Sequence, residues 1–169
     1  MMDGMDDLVQ FLRARLDEDE QIAQAAADGL ADGTSAPAWH MEEPCEGQRH
    51  WEVWGDEGAG QRLVHGKGRR AESVHIARHD PARVLAEVDA KRQIIGMHNI
   101  PAVVSPKMAA LGLREGESPE DDRRCAGCGL DQMDDPITPD VSECPILRAL
   151  ALPYADHPDY RDEWRPPSS

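Results

Sequence analysis

The stretch Cys125-Ala126-Gly127-Cys128-Gly129, followed by Cys144-Pro145, decides how the C-terminal part of this chain folds. Two cysteines separated by two residues and followed by glycine form a turn that can direct both sulfur atoms to one centre. Cys144 precedes an apolar helical segment, and a helix N-terminus favours a thiolate. Three such cysteines predict a zinc site that needs one more ligand. A redox cysteine pair is the rival interpretation, but it normally opens a helix, which the two glycines disfavour.

The fourth ligand has three candidates, which we rank in the order His98, His157 and Cys45. His98 ends an amphipathic helix on its apolar face, and this position directs it inward. His157 precedes a proline in a turn, while Cys45 would complete a site of four cysteines from a loop that is distant in sequence. A closed site with four protein ligands leaves no position for a catalytic water, so we expect the zinc to be structural.

The composition limits the class of protein. The chain has 169 residues with 33 acids and 18 bases, which gives a net charge of −15. This charge disfavours direct binding to nucleic acid and suits a solvated cytoplasmic protein. Aromatic residues make up only 4% of the chain, so the core is thin and a metal ion would add needed stability. No stretch approaches the roughly 20 apolar residues that span a bilayer, so we expect no membrane partner.

The periodicity of apolar residues predicts an α+β protein. Its expected elements are an N-terminal helix over 5–28, a small antiparallel meander with strands at 38–41, 50–54 and 61–65, a short helix over 72–78, a long central helix over 81–98, and a short helix that starts at Pro145 and is ended by Pro153. The central helix has the clearest start signal, because Asp80 can cap it and Pro81 fits its first position. On this helix Val88 and Ile95 are expected to be buried and Asp89 exposed.

These elements predict three regions. Residues 5–98 form a core of helix, meander and helix, residues 99–124 form an acidic mobile linker, and residues 125–165 form a zinc-stapled segment packed on the core. Within the core, His75 and His79 are four residues apart and could share a helix face. The sequence between them lacks the glutamate of a zinc peptidase, so the pattern favours capping or core histidines near Asp80.

No catalytic residue is predicted. The chain has no nucleophile elbow, dinucleotide-binding fingerprint or phosphate-binding loop, and its many carboxylates single out no acid and base pair. An enzyme is therefore the least favoured class. We expect a zinc-stabilised binding or accessory protein with a protein partner that the sequence does not identify. The alternative is an acidic inhibitor that mimics DNA and binds a nucleic-acid enzyme of the host.

Several segments resemble an uncharacterised family of small proteins from actinobacteria and their phages, which is known only as a domain of unknown function. The segments that carry the resemblance are 5–8, 15–20, 75–85 (HIARHDPARVL), 90–92 and 150–160. Members tend to have a histidine at the position of His98 and a Cys-x-x-Cys pair followed by Cys-Pro. The resemblance therefore implies Cys125, Cys128, Cys144 and His98 as the ligand set. It implies no activity. Because members tend to start at Met5, it also implies that residues 1–4 are either an extension or the result of a misassigned start.

Overall fold

The structure, a computed structural model, describes residues 7–28, 35–44, 46, 51–55, 69–98, 125–133 and 135–167. Within these residues the helices and strands are α1 (Asp7–Asp28), β1 (Trp39–Glu42), β2 (Glu52–Gly55), α2 (Arg70–Arg78), α3 (Pro81–His98) and α4 (Pro145–Ala151). The described residues from 125 onward also contain four short 3-10 turns. The α+β class, the N-terminal helix and the long central helix are confirmed. The third predicted strand, at 61–65, and the predicted linker, at 99–124, lie outside the described residues.

The chain forms two compact units, and the boundaries between them fall within α1 and α3. The first unit is Met1–Arg15 with Lys91–Ser169, and the second is Leu16–Ala90. None of the helices in the described ranges is both long enough and apolar enough to cross a membrane.

In the second unit, β1 and β2 form a two-stranded antiparallel sheet in which Met41 lies opposite Val53. Val53 is fully buried, as is Val88 on α3, which confirms the predicted phase of that helix. Asp80 links the strands to the helix: its Oδ1 accepts the N–H of Arg83 at 2.8 Å, and its Oδ2 accepts the N–H of Trp39 at 3.2 Å. One carboxylate thus caps α3, as its N-cap position predicts, and also contacts the first residue of β1.

Two helix ends differ from the sequence prediction. Helix α2 begins at Arg70 rather than at residue 72, because the Glu72 carboxylate accepts the Arg69 N–H at 3.1 Å and so caps an earlier first turn. Helix α4 ends at Ala151, and Pro153 lies inside a following 3-10 turn, Leu152–Tyr154. Proline fits that turn because an N–H near the start of a helical turn has no intrahelical acceptor.

In the first unit, the C-terminal tail packs on the first two turns of α1. Phe11 lies at the centre of an aromatic cluster with Trp164 at 5.0 Å and Tyr160 at 6.0 Å between ring centroids. Trp164 is 3% exposed although it lies only five residues from the C-terminus of the 169-residue chain. Arg161 forms an ion pair with Asp7 at 2.5 Å, so charge and aromatic packing together hold the tail to α1.

Candidate metal centre

Four side chains of the first unit form a cluster that could hold a metal ion: His98, Cys125, Cys128 and Cys144. They come from the last residue of α3, from a 3-10 turn at Ala126–Cys128 and the residue before it, and from the residue that precedes α4. Their four ligand atoms all lie within 4.8 Å of one another. The fold therefore brings together residues that are up to 46 positions apart in sequence.

Four of the six distances between ligand atoms are close to those of a tetrahedral centre, and all six are within 4.8 Å. Zinc–sulfur bonds are about 2.3 Å long and zinc–nitrogen bonds about 2.0 Å. In a tetrahedral site, two sulfur ligands are therefore about 3.8 Å apart, and a sulfur and a nitrogen ligand are about 3.5 Å apart. The sulfur atoms of Cys128 and Cys144 are 3.6 Å apart. The Nδ1 atom of His98 lies 3.2, 3.4 and 3.9 Å from the sulfurs of Cys125, Cys144 and Cys128. One ion of this size fits among the four atoms.

The backbone around the cysteines explains how they reach one point. Gly129, directly after Cys128, has a φ of +77°, a left-handed conformation that glycine adopts without a steric cost. The chain then turns back on itself, because Asp131 Oδ1 accepts the N–H groups of Met133 at 2.8 Å and Asp135 at 3.0 Å. A hydrogen bond from the Cys125 N–H to the Thr138 carbonyl, at 3.0 Å, closes this loop beside the cluster.

The surroundings of the three thiols act on their ionisation in different directions. Burial raises the pKa of Cys125 to about 12, and neighbouring thiols add to the rise. Burial also raises the pKa of Cys144, although the backbone N–H groups of Leu147 and Ile146 act to lower it, as expected at a helix N-terminus. The pKa of Cys128 is lowered, since hydrogen bonds from Thr138 and from the other thiols outweigh the effect of burial. A bound cation would favour the thiolate form of all three.

Gly127 is a part of the site that the spacing of the cysteines did not predict. A Cβ atom at Gly127 would lie 2.7 Å from both Cγ and Nδ1 of the His98 ring. The imidazole therefore packs directly on the backbone between the two cysteines. The only sequence signal is the glycine itself within the Cys-x-x-Cys turn, and it does not reveal which side chain needs the space.

Replacing Gly127 by alanine is expected to displace the His98 imidazole and weaken the binding of zinc, the ion that the sequence predicts for this site. Residues that hold a metal ligand in position typically raise metal affinity by roughly 10- to 100-fold, so we expect the affinity to fall by a factor in that range. Gly96→Ala is the matched control, because a Cβ at Gly96 meets no atom within 4 Å and the residue lies two positions from His98. Chelator competition on both variants measures the effect. Equal zinc affinities for the two variants would contradict this role of Gly127.

His157, the second ligand candidate, is not in the cluster. His157 lies in the first unit, where Nε2 contacts the Arg15 guanidinium and Nδ1 accepts the N–H of Asp159 at 3.1 Å. Its ring packs on Phe11 with 5.8 Å between centroids. Both ring nitrogens of His157 thus already have partners. Cys45, the third candidate, lies outside the described residues.

The fold and the cluster define a small α+β protein with a possible metal-binding site of one histidine and three cysteines. The chain belongs to a family of unknown function, DUF6221, whose model matches residues 5–166. This match confirms that the segments noted in the sequence belong to an uncharacterised family. No curated protein and no solved structure matches the chain.

Proposed function

We propose that this protein holds one structural Zn²⁺ through Cys125, Cys128, Cys144 and His98, and that it acts as a binding or accessory protein. The observation that carries the proposal is the spacing of the ligand atoms: four of their six distances are 3.2–3.9 Å, close to those around a tetrahedral ion, and all six are within 4.8 Å. Three thiolates and one imidazole are the donors that zinc prefers, and magnesium and calcium prefer oxygen donors instead.

A structural role follows from the number of protein ligands. Four side chains complete the tetrahedral coordination of zinc and leave no position for a water or a substrate. The ion would join the end of α3, the 3-10 turn at Ala126–Cys128 and the start of α4. Cys125 is 2% exposed and Cys144 is fully buried, so two of the ligands lie inside the unit that the ion would stabilise. We propose that this staple orders residues 125–165.

The proposed binding role rests on the structural zinc site and on the net negative charge of the chain. A net charge of −15 favours an electropositive protein partner over nucleic acid, and we propose neither a nucleic-acid ligand nor a membrane ligand. Metal-binding thiols suit the reducing cytoplasm, which we propose as the location. An origin in actinobacteria and their phages is part of the same proposal.

The alternative, an acidic inhibitor that mimics DNA, is supported by the net charge alone. The two proposals differ in the partner that they require. Capture of partners from the lysate of a host cell, followed by their identification, distinguishes the two. Recovery of a DNA- or RNA-processing enzyme that polyanions displace would favour the alternative over the accessory role.

Substitution of His98 tests the ligand assignment. His98→Ala removes one of the four ligands. Loss of a residue that only supports a ligand weakens metal binding by about 10- to 100-fold, so loss of the ligand itself is expected to weaken zinc binding by more than about 100-fold. His157→Ala is the control: it removes the ring that packs on Phe11 and lowers stability, but it leaves the cluster intact. Chelator competition compares the two variants with the parent. If His98→Ala binds zinc as tightly as the parent does, the assignment of His98 is wrong.

A further inference from the structure

We propose a second cation site, formed by His75 and His79 in the second unit and separate from the cysteine cluster. His75 lies in the last turn of α2, and His79 is the residue that follows this helix. Their rings lie side by side, with 4.3 Å between centroids and a tilt of 40° between planes. Both side chains are exposed, so an ion from solvent can reach them.

The hydrogen bond of His79 fixes its tautomer in the form that binds metal. Nδ1 of His79 lies 2.9 Å from the His75 carbonyl oxygen, and because a carbonyl can only accept, Nδ1 carries the proton. In the neutral ring, Nε2 then holds the lone pair. Within the described part of the chain, neither His79 Nε2 nor either ring nitrogen of His75 has a hydrogen-bond partner. Metal-binding histidines commonly show this arrangement, in which the second nitrogen donates to a backbone carbonyl.

The local charge favours a cation at this position. The two histidines lie at the C-terminal end of α2, where the carbonyl groups give the helix a partial negative charge. Asp80 follows directly, and its hydrogen bonds to the N–H groups of Arg83 and Trp39 hold the carboxylate in place. Two cationic side chains lie near the pair in sequence: Arg78 directly precedes His79, and Arg83 donates to the Arg78 carbonyl and forms an ion pair with Glu87 at 2.7 Å. That ion pair offsets the positive charge of the Arg83 guanidinium.

The chemistry of two imidazoles selects the class of ion. Histidines four residues apart on one helix face can bind a single metal, and imidazole favours divalent ions such as Ni²⁺, Cu²⁺ and Zn²⁺ over Mg²⁺ and Ca²⁺. Two protein ligands leave the other coordination positions to water or to an external ligand. His79 also lines a cleft of about 280 Å³ with Trp39, Pro81 and Val84, so the ion would lie beside an apolar recess. The capping role that the sequence predicts for His79 is therefore compatible with metal binding.

Titration with NiCl₂ tests the site on the full-length, zinc-loaded protein. Calorimetry is expected to show one Ni²⁺ bound per chain in addition to zinc. Paramagnetic Ni²⁺ should selectively broaden the imidazole proton signals of His75 and His79. His75→Ala is the informative variant, because it removes one ring but keeps the carbonyl that accepts from His79. It is expected to weaken Ni²⁺ binding by at least about tenfold, as is His79→Ala.

His40→Ala serves as the matched control, because His40 is another exposed histidine of the second unit and lies on β1. Its Ni²⁺ affinity should equal that of the parent. Absence of saturable Ni²⁺ binding by the parent would overturn the proposal. Ni²⁺ binding that is retained in either His75→Ala or His79→Ala, with circular dichroism showing the parent fold, would also overturn it, because both rings are required. None of these variants changes a proposed zinc ligand. Failure of this proposal would therefore leave the proposed zinc centre to be tested by its own experiments.

Discussion

Val88→Asp is expected to destabilise the second unit by roughly 3–5 kcal/mol, the cost of burying an unpaired charge. Val88 is 1% exposed on α3, so the new carboxylate would have no access to water. Since whole domains have free energies of unfolding of about 5–15 kcal/mol, a large share of the stability would be lost. Thermal denaturation should show the midpoint falling by roughly 10 °C or more.

The neighbouring residue supplies the control for this substitution. Asp89 is exposed on the same turn of α3, so Asp89→Ala should change stability by no more than about 0.5 kcal/mol. Were Val88→Asp to melt at the temperature of the parent, Val88 would not be buried, and the phase of α3 would be wrong.

Cys144→Ala is expected to abolish zinc retention. The substitution removes a buried thiolate ligand at the start of α4, and structural zinc sites contribute an apparent free energy of roughly 10–16 kcal/mol. The variant should lose its metal during gel filtration in the presence of a chelator. Hydrogen exchange should become faster at the amides of residues 125–151, while the amides of the second unit should stay protected.

Cys45→Ala is the matched control for Cys144→Ala. It removes the one cysteine that we do not assign to the centre, so it should retain zinc as the parent does. Loss of zinc from Cys45→Ala together with retention by His98→Ala would instead support a site of four cysteines.

Sequence reasoning worked best where a signal is local. Asp80-Pro81 predicted the start of α3 because an N-cap and a first-position proline act within a single turn. The apolar period of α3 predicted that Val88 and Ile95 are buried, and both are at most 2% exposed. The same period placed His98 on the inner face, which is why it ranked first among the candidate ligands.

The features that the sequence did not predict depend on contacts between distant residues. His157 meets Arg15 across 142 positions, and no local pattern identifies that partner. The packing of Gly127 on the His98 ring likewise joins residues 29 positions apart in sequence. The early start of α2 has a different cause: the Glu72 carboxylate caps Arg69, a residue outside the usual set of N-cap residues.

Zinc content per chain is the most direct test of the central claim. The untagged protein, purified without added metal, should contain one zinc atom per chain by elemental analysis. Stoichiometric chelation should release that zinc together with cooperative loss of structure in the first unit. A protein that contains no metal and yet gives the same melting temperature with and without a chelator would contradict a structural zinc centre at His98, Cys125, Cys128 and Cys144.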